Sequence, residues 1–163
     1  MVDGPVSAHL PTTAKLMKSH YQELFTYNQS SNSITATLIL KYLDILPENT
    51  YGLYSHMLNA QHVWNRRILE MDEIYGVWDI HSPEELEKIN QAEFELSLYI
   101  LENKGLEDMI TYKTSKGIQY TSSVKDILFH IVNHSSYHRG QVMDHIRQVG
   151  GTAVSTDFIF YKR

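Results

Sequence analysis

The sequence predicts an all-α fold, a four-helix bundle with a small β-hairpin before the last helix, built as a single domain over residues 1–163. Apolar residues recur at helical spacing in four long segments, whereas one short segment alternates between apolar and polar residues. Pro and Gly lie at the boundaries between these segments. A chain of 163 residues without Cys is also long enough to bury one core without disulfides.

The first two helices are predicted from apolar periodicity and from proline. The first begins directly after Pro11 and ends before Pro47. Weak helix formers at 28–33 leave open whether this segment is one long helix or two pieces. A second helix fits about 50–75, where apolar residues keep helical spacing.

The third helix and the hairpin follow in the chain. Ser82, with Pro83 and acidic residues directly after it, begins a helix that ends at about Asn103, before Gly105. In residues 109–122 apolar residues alternate on both sides of the tripeptide SKG. This alternation predicts two short strands joined by a turn.

The fourth helix is predicted over 124–148. Ser122 or Ser123 is its cap, and a pair of glycines ends it. The tail at 155–163 carries three aromatic residues, which we expect to dock on the bundle.

Composition excludes several classes of function. The net charge of -5 leaves no basic surface for phosphates, so nucleic acid is not an expected partner. No run approaches the ~20 apolar residues of a membrane span, and no secretion signal is recognised, so we expect a cytoplasmic protein without membrane contact. The absence of Cys excludes thiolate zinc sites and an internal thiol nucleophile.

Histidines are concentrated on the fourth helix. Nine histidines would form about 0.4 pairs at i, i+4 by chance, yet His130, His134 and His138 form two. Such a pair is separated by about 6 Å along the axis and can hold one ion, whereas His130 and His138 lie about 12 Å apart and cannot. The pair is therefore either 130 with 134 or 134 with 138. Placing residues about 100° apart around the helix puts His134 and His138 on the apolar face, which favours the second pair.

A third ligand is expected from the second helix, where His56 and His62 lie about 240° apart. His56 lies on the apolar face and His62 among polar residues, so only His56 is predicted to point inward. Three neutral imidazoles on two packed helices leave at least one position of a divalent ion open, as in a catalytic site. The alternative is that each imidazole is a core residue with its own hydrogen-bond partner.

The remaining notable side chains are predicted to have structural roles. The acidic residues of the third helix, Glu93 among them, form a solvated face, and Trp64 and Trp78 lie in the core. No HExxH sequence is present, and the inward positions of helices two and four carry no Asp or Glu. The sequence therefore identifies no general base.

Three polar residues are candidates for an orienting role around the histidines. Tyr137 and Gln141 flank His138 and could orient metal ligands or substrate. Asn28 could face the same cavity, or it could form a local hydrogen bond in a weak stretch of the first helix.

Four stretches of the chain resemble one known family in the order in which that family has them. HIVNHSSYHRGQVMDHIRQVGG at 130–151 and SHMLNAQHVWNRRI at 55–68 are similar to its motifs in the fourth and second helices. LFTYNQSSN at 24–32 and TDFIFY at 156–161 are similar to its first-helix and final segments. The chain therefore resembles the DinB-like (YfiT-like) family of damage-inducible proteins.

This resemblance implies a divalent transition metal held by His56, His134 and His138, the same residues that the helix faces favour. Zn or Ni is the expected ion, with Mn or Fe as alternatives. The resemblance also implies a four-helix bundle with crossover connections, a homodimer and a link to the stress response.

The resemblance further implies one of two kinds of metal-dependent enzyme acting on a small molecule. The first transfers or isomerises its substrate with a low-molecular-weight thiol, which a cosubstrate has to supply because the chain has no Cys. We favour this class. The second is a hydrolase that uses metal-bound water. The competing interpretation is a non-catalytic, metal-binding stress protein.

Overall fold

The structure is a computed structural model that describes residues 12–114 and 116–163. It confirms the all-α fold with one small antiparallel hairpin before the fourth helix. Pro11 and Ser115, which fall at the predicted start of the first helix and in the predicted turn, lie outside the described residues. The helices and strands are α1 (Thr13–Lys41), α2 (Glu48–Leu69), α3 (Pro83–Asn103), β1 (Met109–Lys113), β2 (Gln119–Ser123), α4 (Val124–Gln148) and α5 (Phe158–Tyr161).

Two helices begin at caps that the sequence predicts. At the start of α3, the Glu85 carboxylate accepts a hydrogen bond from the N–H of Ser82 at 2.9 Å. At the start of α4 the cap is Ser123 and not Ser122, because the Ser123 hydroxyl accepts the N–H of Asp126 at 3.3 Å. Both contacts satisfy N–H groups that a helix leaves unpaired at its first turn.

The end of α2 differs from the prediction. The helix stops at Leu69 and not at about residue 75. Glu70 takes a left-handed backbone conformation with φ of 56°, and its N–H and that of Met71 bond to carbonyl groups of the last turn. Glycine is the usual residue in this conformation, so glutamate gives no local marker of a helix end. The apolar spacing that continues to Tyr75 was therefore misleading.

The four long helices form a bundle with a crossover between its middle pair. α1 and α2 each pack against both α3 and α4, so α1 and α2 lie diagonally opposite. The order of side-chain hydrogen bonds along each pair shows that α1 and α4 run in one direction and α2 and α3 in the other. Because α2 and α3 are parallel, residues 70–82 must return along the bundle. We call these residues the crossover segment.

Two apolar clusters form the core, one toward each end of the bundle. The first is built around Phe25, Ile68 and Leu128, and the second around Ile39 and Leu58. Each of these side chains is fully buried, and each cluster draws residues from all four long helices. The bundle is therefore held together by burial of apolar surface at both ends.

A polar layer lies between the two clusters and is centred on Arg139, whose exposed fraction is 0%. Its guanidinium donates to Oδ1 of Asn28 at 2.6 Å and of Asn32 at 2.8 Å. It also donates to the hydroxyl groups of Tyr27 and Ser136, both at 2.9 Å. These bonds explain why the weak middle of α1 is continuous helix, because α4 supplies partners for its amide side chains.

The tail docks on the bundle as the sequence predicts. The ring of Phe158 in α5 packs edge-on against Tyr27 at 5.2 Å between centroids, and Tyr161 packs against the same ring at 5.6 Å. The Tyr27 hydroxyl also donates to the carbonyl of Thr156 at 2.6 Å. In the part of the chain that the structure describes, no helix combines the length and the apolar character needed to cross a membrane.

Candidate metal centre

Three histidines from two helices converge between α2 and α4. His56 lies on α2, and His134 and His138 lie one turn apart on α4. One ring nitrogen from each histidine lies within 4.8 Å of one ring nitrogen of each of the others. Nε2 of His134 lies 3.1 Å from Nε2 of His56, near the roughly 3.3 Å that separates two nitrogen ligands of a tetrahedral ion.

Hydrogen bonds fix two of these imidazole rings from their outer side. Nδ1 of His56 lies 3.0 Å from the carbonyl oxygen of Val77, to which it donates. Nδ1 of His138 likewise donates to the side-chain oxygen of Gln141 at 2.7 Å. A proton held on Nδ1 leaves the lone pair of Nε2 available, and this is the usual support for a histidine that binds a metal.

The donor set fits a divalent transition metal. All three donors are imidazole nitrogens, which suit Zn, Ni, Cu and Fe better than Mg or Ca. The exposed fractions of His56 and His138 are 7% and 9%, so a bound ion would be largely shielded by protein. Three ligands would still leave at least one position open on a four-coordinate ion.

Burial and charge repulsion favour the neutral form of two imidazoles in the cluster, His56 and His134. Burial, together with charge repulsion from the neighbouring His138, His56 and His130, lowers the pKa of His134 to about 4. Burial also lowers the pKa of His56, although the hydrogen bond to Val77 opposes this effect. Histidines must be deprotonated to bind a metal, so these lowered pKa values favour binding by His56 and His134 at neutral pH.

The lowered pKa of His134 predicts that the metal-free protein loses stability in mild acid. Between its ordinary pKa of 6.5 and the folded value of about 4, the unfolded chain takes up a proton that the folded chain does not. The free energy of unfolding should therefore decrease as the pH is lowered through this window. Allowing for partial solvent exposure, this histidine should account for about 1 to 2 kcal/mol of the loss.

Urea unfolding of chelator-treated protein at pH 7 and pH 4.5 measures this effect. The variant His134→Gln has no proton to gain and should lose less stability over the same interval. An equal loss in both proteins would show that His134 does not titrate with a lowered pKa.

Trp78 in the crossover segment covers one side of His56. The two rings are stacked, with centroids 4.0 Å apart and planes 9° from parallel. Trp78 is 68% exposed, so the prediction that it lies in the core was wrong. It lies in the crossover segment and not on a helix face that packs into the core. Its exposed ring forms part of the surface around the histidines.

A second buried histidine of α2, His62, forms hydrogen bonds with the crossover segment. The N–H groups of Ile74 and Tyr75 donate to Nε2 of His62 at 2.9 and 3.3 Å. The His62 proton therefore lies on Nδ1, which donates to Glu93 of α3 at 2.7 Å. Asn65 donates to the other oxygen of the same carboxylate at 3.0 Å. This network holds the segment that carries Val77.

Two sequence predictions fail at this network. His62 was expected to face away from the core and Glu93 to lie on a solvated face, yet their exposed fractions are 0% and 4%. The prediction assumed that α2 has one buried face. The crossover segment and α3 cover a second face of α2, so its polar positions are buried as well.

Of the three polar residues predicted to orient the histidines, Tyr137 and Gln141 lie beside His138 and Asn28 does not. Tyr137 is 64% exposed and packs edge-on against His138 at 5.1 Å. Together with Gln141 and Leu53 it lines an open groove of about 550 Å³ beside His138. Asn28 lies away from this groove, in the polar layer around Arg139.

His130, the alternative partner of His134, lies at the edge of the cluster. Its ring stacks on His134 at 5.3 Å and packs edge-on against Trp64 at 5.5 Å. It is not one of the three residues whose ring nitrogens lie within 4.8 Å of one another. Of the two pairs that the sequence left open, 134 with 138 is the one whose ring nitrogens lie within 4.8 Å of one another and of that of His56.

Comparison with known proteins agrees with this architecture. The sequence model described as "DinB family" matches residues 17–163. Among curated proteins, Protein DinB of Bacillus subtilis (strain 168) is 43% identical over 47 residues, which cover 29% of this chain. The matched part is 27% of the length of that relative.

Proposed function

This chain belongs to the DinB family, and from that premise we propose that it is a metal-dependent enzyme whose divalent ion is bound by His56, His134 and His138. The observation that carries the proposal is the convergence of three ring nitrogens from two helices. The Val77 carbonyl and Gln141 support it, because each bonds to the outer nitrogen of one ring.

The open side of the cluster favours catalysis over a purely structural role. Structural zinc sites are closed by four protein ligands, whereas catalytic sites keep a position for water or substrate. When bound, the ion would act as a Lewis acid that polarises a substrate or activates a thiol or water.

We favour transfer or isomerisation with a low-molecular-weight thiol as the reaction. Because the chain has no Cys, its own residues provide no thiol nucleophile. All three proposed ligands are imidazoles and none is a carboxylate, so a bound ion would keep its full double charge. Such a centre attracts an anionic thiolate more strongly than one that carboxylates have neutralised.

Metal titration of chelator-treated protein tests the site. We expect one Zn or Ni ion per chain, with weaker binding of Mn and Fe. His134→Ala should weaken binding by at least about 100-fold, because two imidazoles hold a divalent ion poorly. His20→Ala, which removes an exposed histidine of α1, is the matched control and should bind as the unmodified protein does. Equal affinity of all three proteins would refute the site.

Activity assays then distinguish the reaction classes. Metal-loaded protein is incubated with electrophiles in the presence and absence of cysteine and other small thiols, and separately with esters and amides. Turnover that needs both metal and thiol supports the proposed class. Thiol-independent cleavage of esters or amides would identify a hydrolase instead, and metal binding without any turnover would identify a binding protein.

Gln141 is expected to strengthen metal binding through His138. Replacing Gln141 by alanine removes the oxygen that holds the proton of His138 on Nδ1, so the ring can rotate or change tautomer. We expect metal affinity to fall about 10- to 100-fold. Gln148→Ala on the same helix removes only an exposed contact to Asp144 and serves as the control. Equal affinities for the two variants would contradict this role.

Three further expectations stay predictions. They are a homodimer, a cytoplasmic location and a link to the stress response. Light scattering of the purified protein tests the first, since a homodimer has twice the mass of the 18.9 kDa chain.

A further inference from the structure

A cleft of about 380 Å³ opens between the second half of α2 and the hairpin. Trp64 and Arg67 contribute one wall, Tyr112 and Tyr120 contribute another, and Val77 contributes the side nearest the histidines. Pockets for small organic molecules begin at about 300 Å³, so the cleft has room for a ligand of two fused rings.

The walls of this cleft are flat aromatic surfaces. Trp64 and Tyr112 pack edge to face with centroids 4.8 Å apart. Tyr112 stacks with Tyr120 across the hairpin at 6.3 Å and 28°. Tyr120 is 52% exposed, so part of the aromatic surface faces solvent. Aromatic walls of this kind bind planar apolar groups by stacking or edge contact.

The guanidinium of Arg67 lies over these rings. Its Cζ atom lies 4.9 Å from the centroid of Trp64 and 5.7 Å from that of Tyr112. Nε is paired with one oxygen of Glu73 at 3.2 Å. Within residues 12–114 and 116–163, the two terminal amino groups form no hydrogen bond. A guanidinium oriented by aromatic rings, with its terminal groups available, is suited to bind a carboxylate through two parallel bonds.

Short contacts connect the cleft to the histidine cluster. Val77, which lines the cleft, is the residue whose carbonyl accepts the hydrogen bond of His56. On the other side, Trp64 contacts the ring of His130, which in turn stacks on His134. A molecule in the cleft would therefore be separated from His56 by Val77 alone, and from His134 by the rings of Trp64 and His130.

We propose that this cleft binds the organic substrate of the metal site, a small carboxylate with a flat apolar body. The body packs against the exposed surface that Trp64, Tyr112 and Tyr120 share, while Arg67 binds the carboxylate. The groove beside Tyr137 is less suited to an anion, because Asp144 lines it. That the bound molecule is the substrate of the metal site rests on the proposed function. Binding of a small carboxylate in the cleft does not depend on the metal.

Calorimetric titration of metal-free protein with 2-naphthoate tests the inference. We expect saturable binding of one molecule per chain. Arg67→Met should weaken it at least about tenfold, because the charge-assisted pair is lost. Arg147→Met, which removes an exposed arginine of α4, is the matched control and should leave binding unchanged. NMR signals of the two indole N–H groups locate the ligand, since Trp64 should shift more than Trp78.

A neutral analogue separates loss of charge recognition from loss of structure. 2-Naphthamide should bind Arg67→Met and the unmodified protein within about twofold of each other, since aromatic packing alone holds it. Absence of saturable naphthoate binding would overturn the inference, and so would equal binding of naphthoate to Arg67→Met.

The two proposals fail independently. If metal binds at the histidines but naphthoate does not bind the cleft, only the cleft inference is lost. If naphthoate binds as expected but His134→Ala leaves metal binding unchanged, the metal site is refuted and the cleft cannot be its substrate site. Binding of naphthoate that also shifts the ring protons of His134 supports the placement of substrate beside the cluster.

Discussion

Replacing Arg139 by alanine is expected to lower the free energy of unfolding by about 4 kcal/mol. The four oxygen atoms that accept its hydrogen bonds would lose their partner inside the bundle. The missing side chain would also leave a cavity in the polar layer. Among the described residues no carboxylate is a hydrogen-bond partner of Arg139, so the loss reflects hydrogen bonding and packing and not a broken ion pair.

Urea unfolding monitored by circular dichroism measures the change. If the alanine variant does not fold, Arg139→Lys provides a milder test. Its single ammonium group cannot reach all four acceptors, and we expect a loss of about 2 to 3 kcal/mol. Arg147→Ala on the exposed side of the same helix should change stability by less than about 0.5 kcal/mol. Similar stability of the Arg139 and Arg147 variants would show that the polar layer does not hold the bundle together.

Replacing His62 by alanine is the second change with a large expected effect. It would leave the buried Glu93 carboxylate without its closest partner and the N–H groups of Ile74 and Tyr75 without an acceptor. Leaving a buried carboxylate and two N–H groups without these partners costs about 3 to 4 kcal/mol. The crossover segment should open more often, and because this segment positions Val77 against His56, metal affinity should fall as well.

Hydrogen exchange at Ile74 and Tyr75 measures the local opening, and metal titration measures its consequence. His62→Gln keeps a donor for Glu93 and should lose less stability. His20→Ala is again the exposed control. Unchanged exchange at Ile74 and Tyr75 in His62→Ala would show that the crossover segment is held by other contacts.

The parts of the protein that sequence analysis predicted correctly depend on local patterns. The four helices follow from apolar spacing, and the start of α3 follows from Ser82 and the acidic residues after it. The proximity of His134 and His138 also follows from spacing on one helix, since residues four apart lie on the same face.

The wrong predictions share a different cause. Each concerns a residue whose burial depends on which helix or segment packs over it. His62, Glu93 and Trp78 were misplaced since nothing in their neighbouring residues shows that the chain turns back along α2 after Glu70. The polar layer was missed for the same reason, because the partners of Arg139 on α1 are more than 100 positions away in the chain. Contacts of this range are set by topology and not by periodicity.

The path of the crossover segment limits how the centre can be transplanted. In an up-down-up-down bundle each pair of successive helices is antiparallel, and a short turn at the end suffices to join them. Such a scaffold could present histidines at the positions of His56, His134 and His138, but it would have no chain running alongside them. The backbone oxygen that orients His56 and the ring that shields it would both be missing, so a designer would have to copy the connection together with the ligands.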